Sequence, residues 1–242
     1  PVVKSFWVDE FAKMQDKFKV EAIAPIQNKV GQFLSSPIIR NIVGQPKSTI
    51  DLRFAMDKGK IVIINLSKGK IGEDNSALLG SMFITKFQLD AMSRANIPEK
   101  DRKDFYLYVD EFQNFATEAF ATILSEARKY KILLILANQY LEQLGEGIRK
   151  ALFGNIGSLI AFKAGVEDSK YLQEHFANKL NADDFRTIPS YHAYANLLLD
   201  GDSLPPFTIR TIPMEDISAS NKRKAVIIKR TRETYGIKSE VD

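Results

Sequence analysis

Two adjacent carboxylates, Asp110 and Glu111, follow directly on the apolar run Phe105-Tyr106-Leu107-Tyr108-Val109. A buried strand would deliver both acids at its carboxyl end, where neighbouring negative charges are costly unless a cation or a polar network meets them. Two chemistries suit that placement. The acids can cap the next loop or pair with a base, or Asp110 can hold a magnesium ion through its water shell while Glu111 polarises a water for attack on a γ-phosphate. The following apolar run, Ile132 to Ala137, ends in Asn138-Gln139. An amide at that neighbouring tip can bond both an attacking water and phosphate oxygens. Between the runs stands Arg128, in Glu126-Ala127-Arg128-Lys129. It either complements a helix C-terminus or offers a planar bidentate donor to a phosphoryl group in a neighbouring subunit.

Other polar groups carry weaker signals. The loop Ser67 to Asp74 places Lys68 and Lys70 beside glycines, a pattern that fits phosphate contact; Asp74 or Asn75 also fits an ordinary helix N-cap. Phe112 and Phe115 read as core or interface residues, and His175 and His192 as surface or packing residues. There are no cysteines, which removes disulfides, thiolate nucleophiles and zinc fingers together and is compatible with a reducing cytoplasm. The net charge is +4, and much of the excess lies near the end in Lys222, Arg223, Lys224, Lys229, Arg230, Arg232 and Lys238. That cluster is either a solvated basic tail or an arm that tracks phosphates.

The elements that must position these groups can be read from periodicity. Val3 to about Arg40 has helical spacing, and Pro25 and Pro37 predict several short helices there. Ile61 to Leu66 reads as a strand covered on both faces, followed by a helix from about Asn75 to Arg94. Strands at Phe105 to Val109, Ile132 to Ala137 and Ser158 to Phe162 alternate with helices at about Thr117 to Tyr130, Leu141 to Phe153 and Glu167 to Phe176. Two further strands, Tyr194 to Leu199 and Phe207 to Thr211, flank a turn. This alternation predicts an α/β fold with a mainly parallel sheet flanked by helices and a helical N-terminal segment. Ligands then belong beyond the carboxyl ends of the strands. The expected division is a helical segment over 1–58, the sheet domain over 59–213 and a basic tail over 214–242. With 45% apolar residues the chain can bury one substantial core, and no run reaches the length of a membrane span.

The segments YVDEFQNF, ILSEARKYKILLILANQYLEQL, FGNIGSLIAFKAGVEDSKYLQEHF, the upstream GKIVIINLSKGKIGEDNSALLGSMFITKFQLDAMSR and the downstream PFTIRTIP together resemble the ATPase domains of type IV secretion and conjugation coupling proteins. Those belong to the wider FtsK–HerA group of hexameric P-loop motors. The resemblance covers about Gly59 to Pro213. It implies a RecA/HerA-like fold, Walker B acids at Asp110 and Glu111, a sensor glutamine at Gln139 and a trans-acting arginine at Arg128, with ATP and Mg2+ as cofactors. It also implies a homohexamer that moves DNA or a DNA-linked protein, works with other channel components, and sits in the cytoplasm at the inner face of the membrane. No G-x-x-x-x-G-K-S/T string occurs; Gly59-Lys60 and Gly69-Lys70 are each followed by isoleucine, which supplies no magnesium ligand. The expectation is a piece of a longer protein whose phosphate-binding loop, and any membrane segment, lie upstream; the alternatives are a HerA-like DNA-processing translocase or a non-catalytic DNA-binding or oligomerisation module whose acids are structural.

Overall fold

The computed structural model describes residues 2–177, 179–213 and 221–237. Its helices are α1 (Val2–Ser5), α2 (Asp16–Ser35), α3 (Pro37–Val43), α4 (Leu52–Lys58), α5 (Lys68–Ile71), α6 (Glu73–Met92), α7 (Glu118–Glu126), α8 (Glu146–Asn155), α9 (Val166–His175), α10 (Ala182–Thr187) and α11 (Asn221–Tyr235). The strands are β1 (Phe105–Val109), β2 (Ile132–Leu136), β3 (Leu159–Ala161), β4 (His192–Asn196), β5 (Leu198–Leu199), β6 (Asp202–Ser203) and β7 (Phe207–Arg210). Among the described residues no helix is long and apolar enough to cross a membrane.

Strands β1 and β2 pair in parallel, with Phe105 opposite Ile132 and Val109 opposite Leu136. Alternation decides their faces. Phe105, Leu107, Val109, Ile132, Leu134 and Leu136 turn toward a core completed by α4, α6, α7 and α8, while Tyr106, Tyr108, Leu133 and Ile135 are exposed. Leu52 and Met56 of α4 are buried in that same core.

The mainly parallel sheet expected from the βα alternation is corrected here, because parallel pairing among the described residues is confined to β1–β2. Strands β3, β4 and β7 form a separate antiparallel sheet. The physical reason lies in the connections. Two helices, α9 and α10, stand between β3 and β4, so the chain returns from the opposite end. The link from β4 to β7 runs through the small β5–β6 hairpin, with Asp200 and Gly201 at positive φ, and so short a connection reverses direction. A second core of Ala161, Leu172, Phe176 and Phe185 fills the space between this sheet and α9–α10.

Residues 61–66 also depart from expectation. They run extended with Val62 and Ile64 against the main core, but Ile61 and Ile63 are 91% and 82% exposed, and the segment joins no ladder among the described residues. One covered face suffices for burial, so β-branching here signals extension without sheet membership. In the N-terminal region Pro25 lies inside the continuous α2, whereas Pro37 opens α3 as expected. An internal proline removes one backbone hydrogen bond, which a helix of this length survives.

Candidate functional site

The carboxyl ends of β1 and β2 are tied to each other beyond the strands. Ala137 N–H donates to the Val109 carbonyl at 3.0 Å, and Phe112 N–H donates to the Ala137 carbonyl at 2.9 Å. These two bonds bring the residues after Val109 alongside those after Leu136. The chain then turns sharply at Glu111, whose backbone is left-handed at φ 51°, ψ 44°, and continues as a short 3-10 turn over Phe112–Asn114. Phe112 is fully buried against Phe120, so the turn is anchored in the core.

Asp110, Glu111 and Gln139 all line one cleft of about 900 Å³, together with Lys68, Gln113 and Asn114. Its apolar wall comes from α6 and from the extended segment at Ile64 and Leu66. Glu111 is the hub. The Gln139 amide donates to its Oε1 and the Gln113 amide to its Oε2, while Asn114 Nδ2 donates to its backbone carbonyl at 3.0 Å. Asp110 is exposed, and its Oδ1 accepts from the Glu111 N–H at 3.0 Å.

Lys68 Nζ reaches Glu73 Oε1 at 2.6 Å and Asn114 Oδ1 at 2.9 Å, so the loop after Leu66 contributes one cation to the cleft. That ammonium holds the Glu73 carboxyl below its ordinary range. The expected N-cap at Asp74 or Asn75 is corrected: α6 begins at Glu73 behind Gly72, whose φ of 83° suits glycine, and Asn75 bonds back to the Ile71 carbonyl at 2.8 Å. Gly80 of α6 faces Phe115, and a Cβ there would collide with the ring. Only glycine lets α6 approach the acid-bearing turn this closely.

Arg128 is elsewhere. It sits on the 3-10 turn Ala127–Tyr130 that precedes β2, at the end of the sheet where both strands begin. Five strand residues separate that end from the cleft, roughly 16 Å at strand rise, and Arg128 does not line it. The turn is held from behind. Arg94 donates to the Tyr130 carbonyl at 2.8 Å and the Lys103 carbonyl at 2.6 Å, and Arg102 donates to the Lys129 carbonyl. Arg94 is wholly buried, with Nε 3.0 Å from Asp57 Oδ1 but not aligned as a hydrogen bond. Burial pulls its guanidinium below the ordinary value, and Asp57 offsets part of that shift.

The basic tail falls partly on α11. Arg223, Lys224, Arg230 and Arg232 are exposed there and Lys222 lies in the same helix, whereas Lys238 is outside the described residues. His175 packs between Phe153 and Tyr171, and its Nδ1 lies 2.9 Å from the Tyr171 carbonyl.

A magnesium site is tested by the donor set. No cluster of three or more metal-ligating side chains exists among the described residues. Magnesium beside a nucleotide, however, takes one or two carboxylates, phosphate oxygens and water, and the exposed Asp110 carboxylate fits that modest requirement.

Gln113 and Asn114 are the site residues that sequence reasoning overlooked. The only signal available was their position directly after the acids, and an amide in a turn has too many ordinary uses to stand out.

Comparison with known proteins places residues 104–186 in similarity to a family model described as the TraM recognition site of TraD and TraG. Asp110, Glu111, Gln113, Arg128 and Gln139 all fall inside that span. Among solved structures, the DNA-packaging ATPase of Sulfolobus turreted icosahedral virus is similar at 16% identity with a TM-score of 0.46, over 69% of this chain and 74% of that one. No curated protein matches.

Proposed function

We propose that the chain is the ATP-hydrolysing segment of a type IV secretion or conjugation coupling ATPase that moves DNA or a DNA-linked protein. The single observation that carries this reading is the convergence of Asp110, Glu111 and Gln139 from adjacent parallel strand tips onto one cleft. In this proposal residues 59–213 belong to a P-loop ATPase domain, 1–58 are a helical appendage and 214–242 a basic tail that contacts phosphates. Asp110 would hold Mg2+ beside ATP, and the bound ion would neutralise phosphate charge. Glu111 accepts a proton from the attacking water, and Gln139 orients that water while bonding Glu111. Arg128, on the far end of the sheet, serves the nucleotide site of a neighbouring subunit in a homohexamer. The protein would work in the cytoplasm, at the inner face of the membrane, with other secretion-channel components.

The test is Glu111→Gln in the intact protein. Turnover should fall by about 10²- to 10⁴-fold, the usual worth of a general base, with nucleotide binding retained; undiminished hydrolysis would overturn the assignment. A second reading is favoured by the family description itself: residues 104–186 form a surface that recognises a TraM-type protein. Substitutions of the acids that leave turnover intact but weaken such a partner's binding would support that reading instead.

A further inference from the structure

Gln113 lies outside the resemblance-based roles, yet it is half-buried in the cleft. Its backbone belongs to the 3-10 turn pinned by the buried Phe112 and by the Phe112 N–H bond to Ala137. Its Nε2 donates to Glu111 Oε2, while Gln139 donates to Oε1 from the other side. Its own Oε1 is buried and has no hydrogen-bond partner. A buried acceptor left unpaired is costly and calls for a donor. Gln113 is also one of the residues that line the cleft.

We infer that Gln113 is a positioning residue for Glu111, which fixes the carboxylate between two amides. The inference rests on the proposed ATPase reading and extends it to a residue which that reading does not use. The chemistry selects an amide. Its N–H₂ end aims the carboxylate without neutralising it, as a lysine or arginine would. A free glutamate on a three-torsion side chain would sample many orientations, and small misplacement of a reacting group costs up to about 10²-fold in rate.

The experiment measures steady-state ATP hydrolysis and thermal unfolding of the intact protein carrying Gln113→Met, which keeps length and removes both polar ends. Expected is a loss of about 10- to 100-fold in kcat with KM changed less than about twofold, the signature of an interaction made in the transition state. Gln113→Glu, of equal size but like charge, should fall further. If Gln113→Met unfolds, Gln113→Asn, whose amide stops one methylene short of Glu111, should show the same kcat loss with the melting transition intact. Wild-type kcat in the folded variant, or a change confined to KM, overturns the inference and leaves the ATPase reading standing provided Glu111→Gln is inactive. Full activity in Glu111→Gln overturns both.

Discussion

The two ends of the β1–β2 pair are built from opposite chemistry. At the carboxyl end, Asp110 and Glu111 are met by the amides of Gln113, Asn114 and Gln139, with Lys68 as the nearby cation. At the amino end, Arg94 and Arg102 bind the carbonyls of Lys103, Lys129 and Tyr130 and fix the turn that carries Arg128. Amides can aim a carboxylate but cannot compensate phosphate charge; at the carboxyl end that falls to Lys68, while Arg128 is a strand length away. Under the proposed function, one subunit's acid end and another's basic end would together make a complete site.

The comparison breaks most sharply at Glu111 itself. Glu111→Gln should lower hydrolysis by about 10²- to 10⁴-fold if the carboxyl end holds the base. Arg128→Ala should cost about 10³-fold if the amino end supplies a finger to a neighbour. Mixing Arg128→Ala subunits with Glu111→Gln subunits should then restore part of the activity, because each supplies what the other lacks. Mixtures as inactive as the separate variants would confine Arg128 to its own subunit.

Smaller effects sharpen the contrast through stability. Arg94→Met removes a fully buried guanidinium, deprives the Tyr130 and Lys103 carbonyls of their donor and leaves Asp57 with Arg53 as its cation, so unfolding free energy should fall by about 3–5 kcal/mol in a denaturant titration. Adding Asp57→Leu to that variant should recover part of the loss. Gly80→Ala on α6 should cost about 1–3 kcal/mol from overpacking against Phe115, with a companion drop in turnover because the same ring backs the Glu111 turn. Equal stability in wild type and Gly80→Ala would mean that Phe115 has room to yield.

Much of the carboxyl end was legible from sequence, for identifiable reasons. The apolar runs at 105–109 and 132–136 form adjacent strands, and polar residues that follow emerge at their tips, so Asp110, Glu111 and Gln139 line one cleft. Their individual roles remain proposals. Sheet direction was less legible: β3, β4 and β7 have the same local pattern as parallel strands, and only the path of α9, α10 and the β5–β6 hairpin reverses them. Residues 61–66 show the same limit, since burial of alternate side chains does not specify a ladder partner. Arg94 was unreadable because a charged residue near a helix end ordinarily faces solvent, and its burial depends on carbonyls distant in sequence. Gln113 was missed because the role inferred for it lies wholly in which atoms it touches.

The left-handed backbone at Glu111 restricts which residues can ever occupy that site. Valine, isoleucine and threonine are strongly disfavoured there on steric grounds, while glycine, asparagine and aspartate are tolerated. A lineage that abandoned the chemistry could therefore drift freely at Asp110, yet position 111 would still be held to a short menu by the turn. Replacement with glycine would relax the main chain as it deletes the carboxylate that the Gln113 and Gln139 amides bind, so backbone ease and the polar hub pull against each other at this one position.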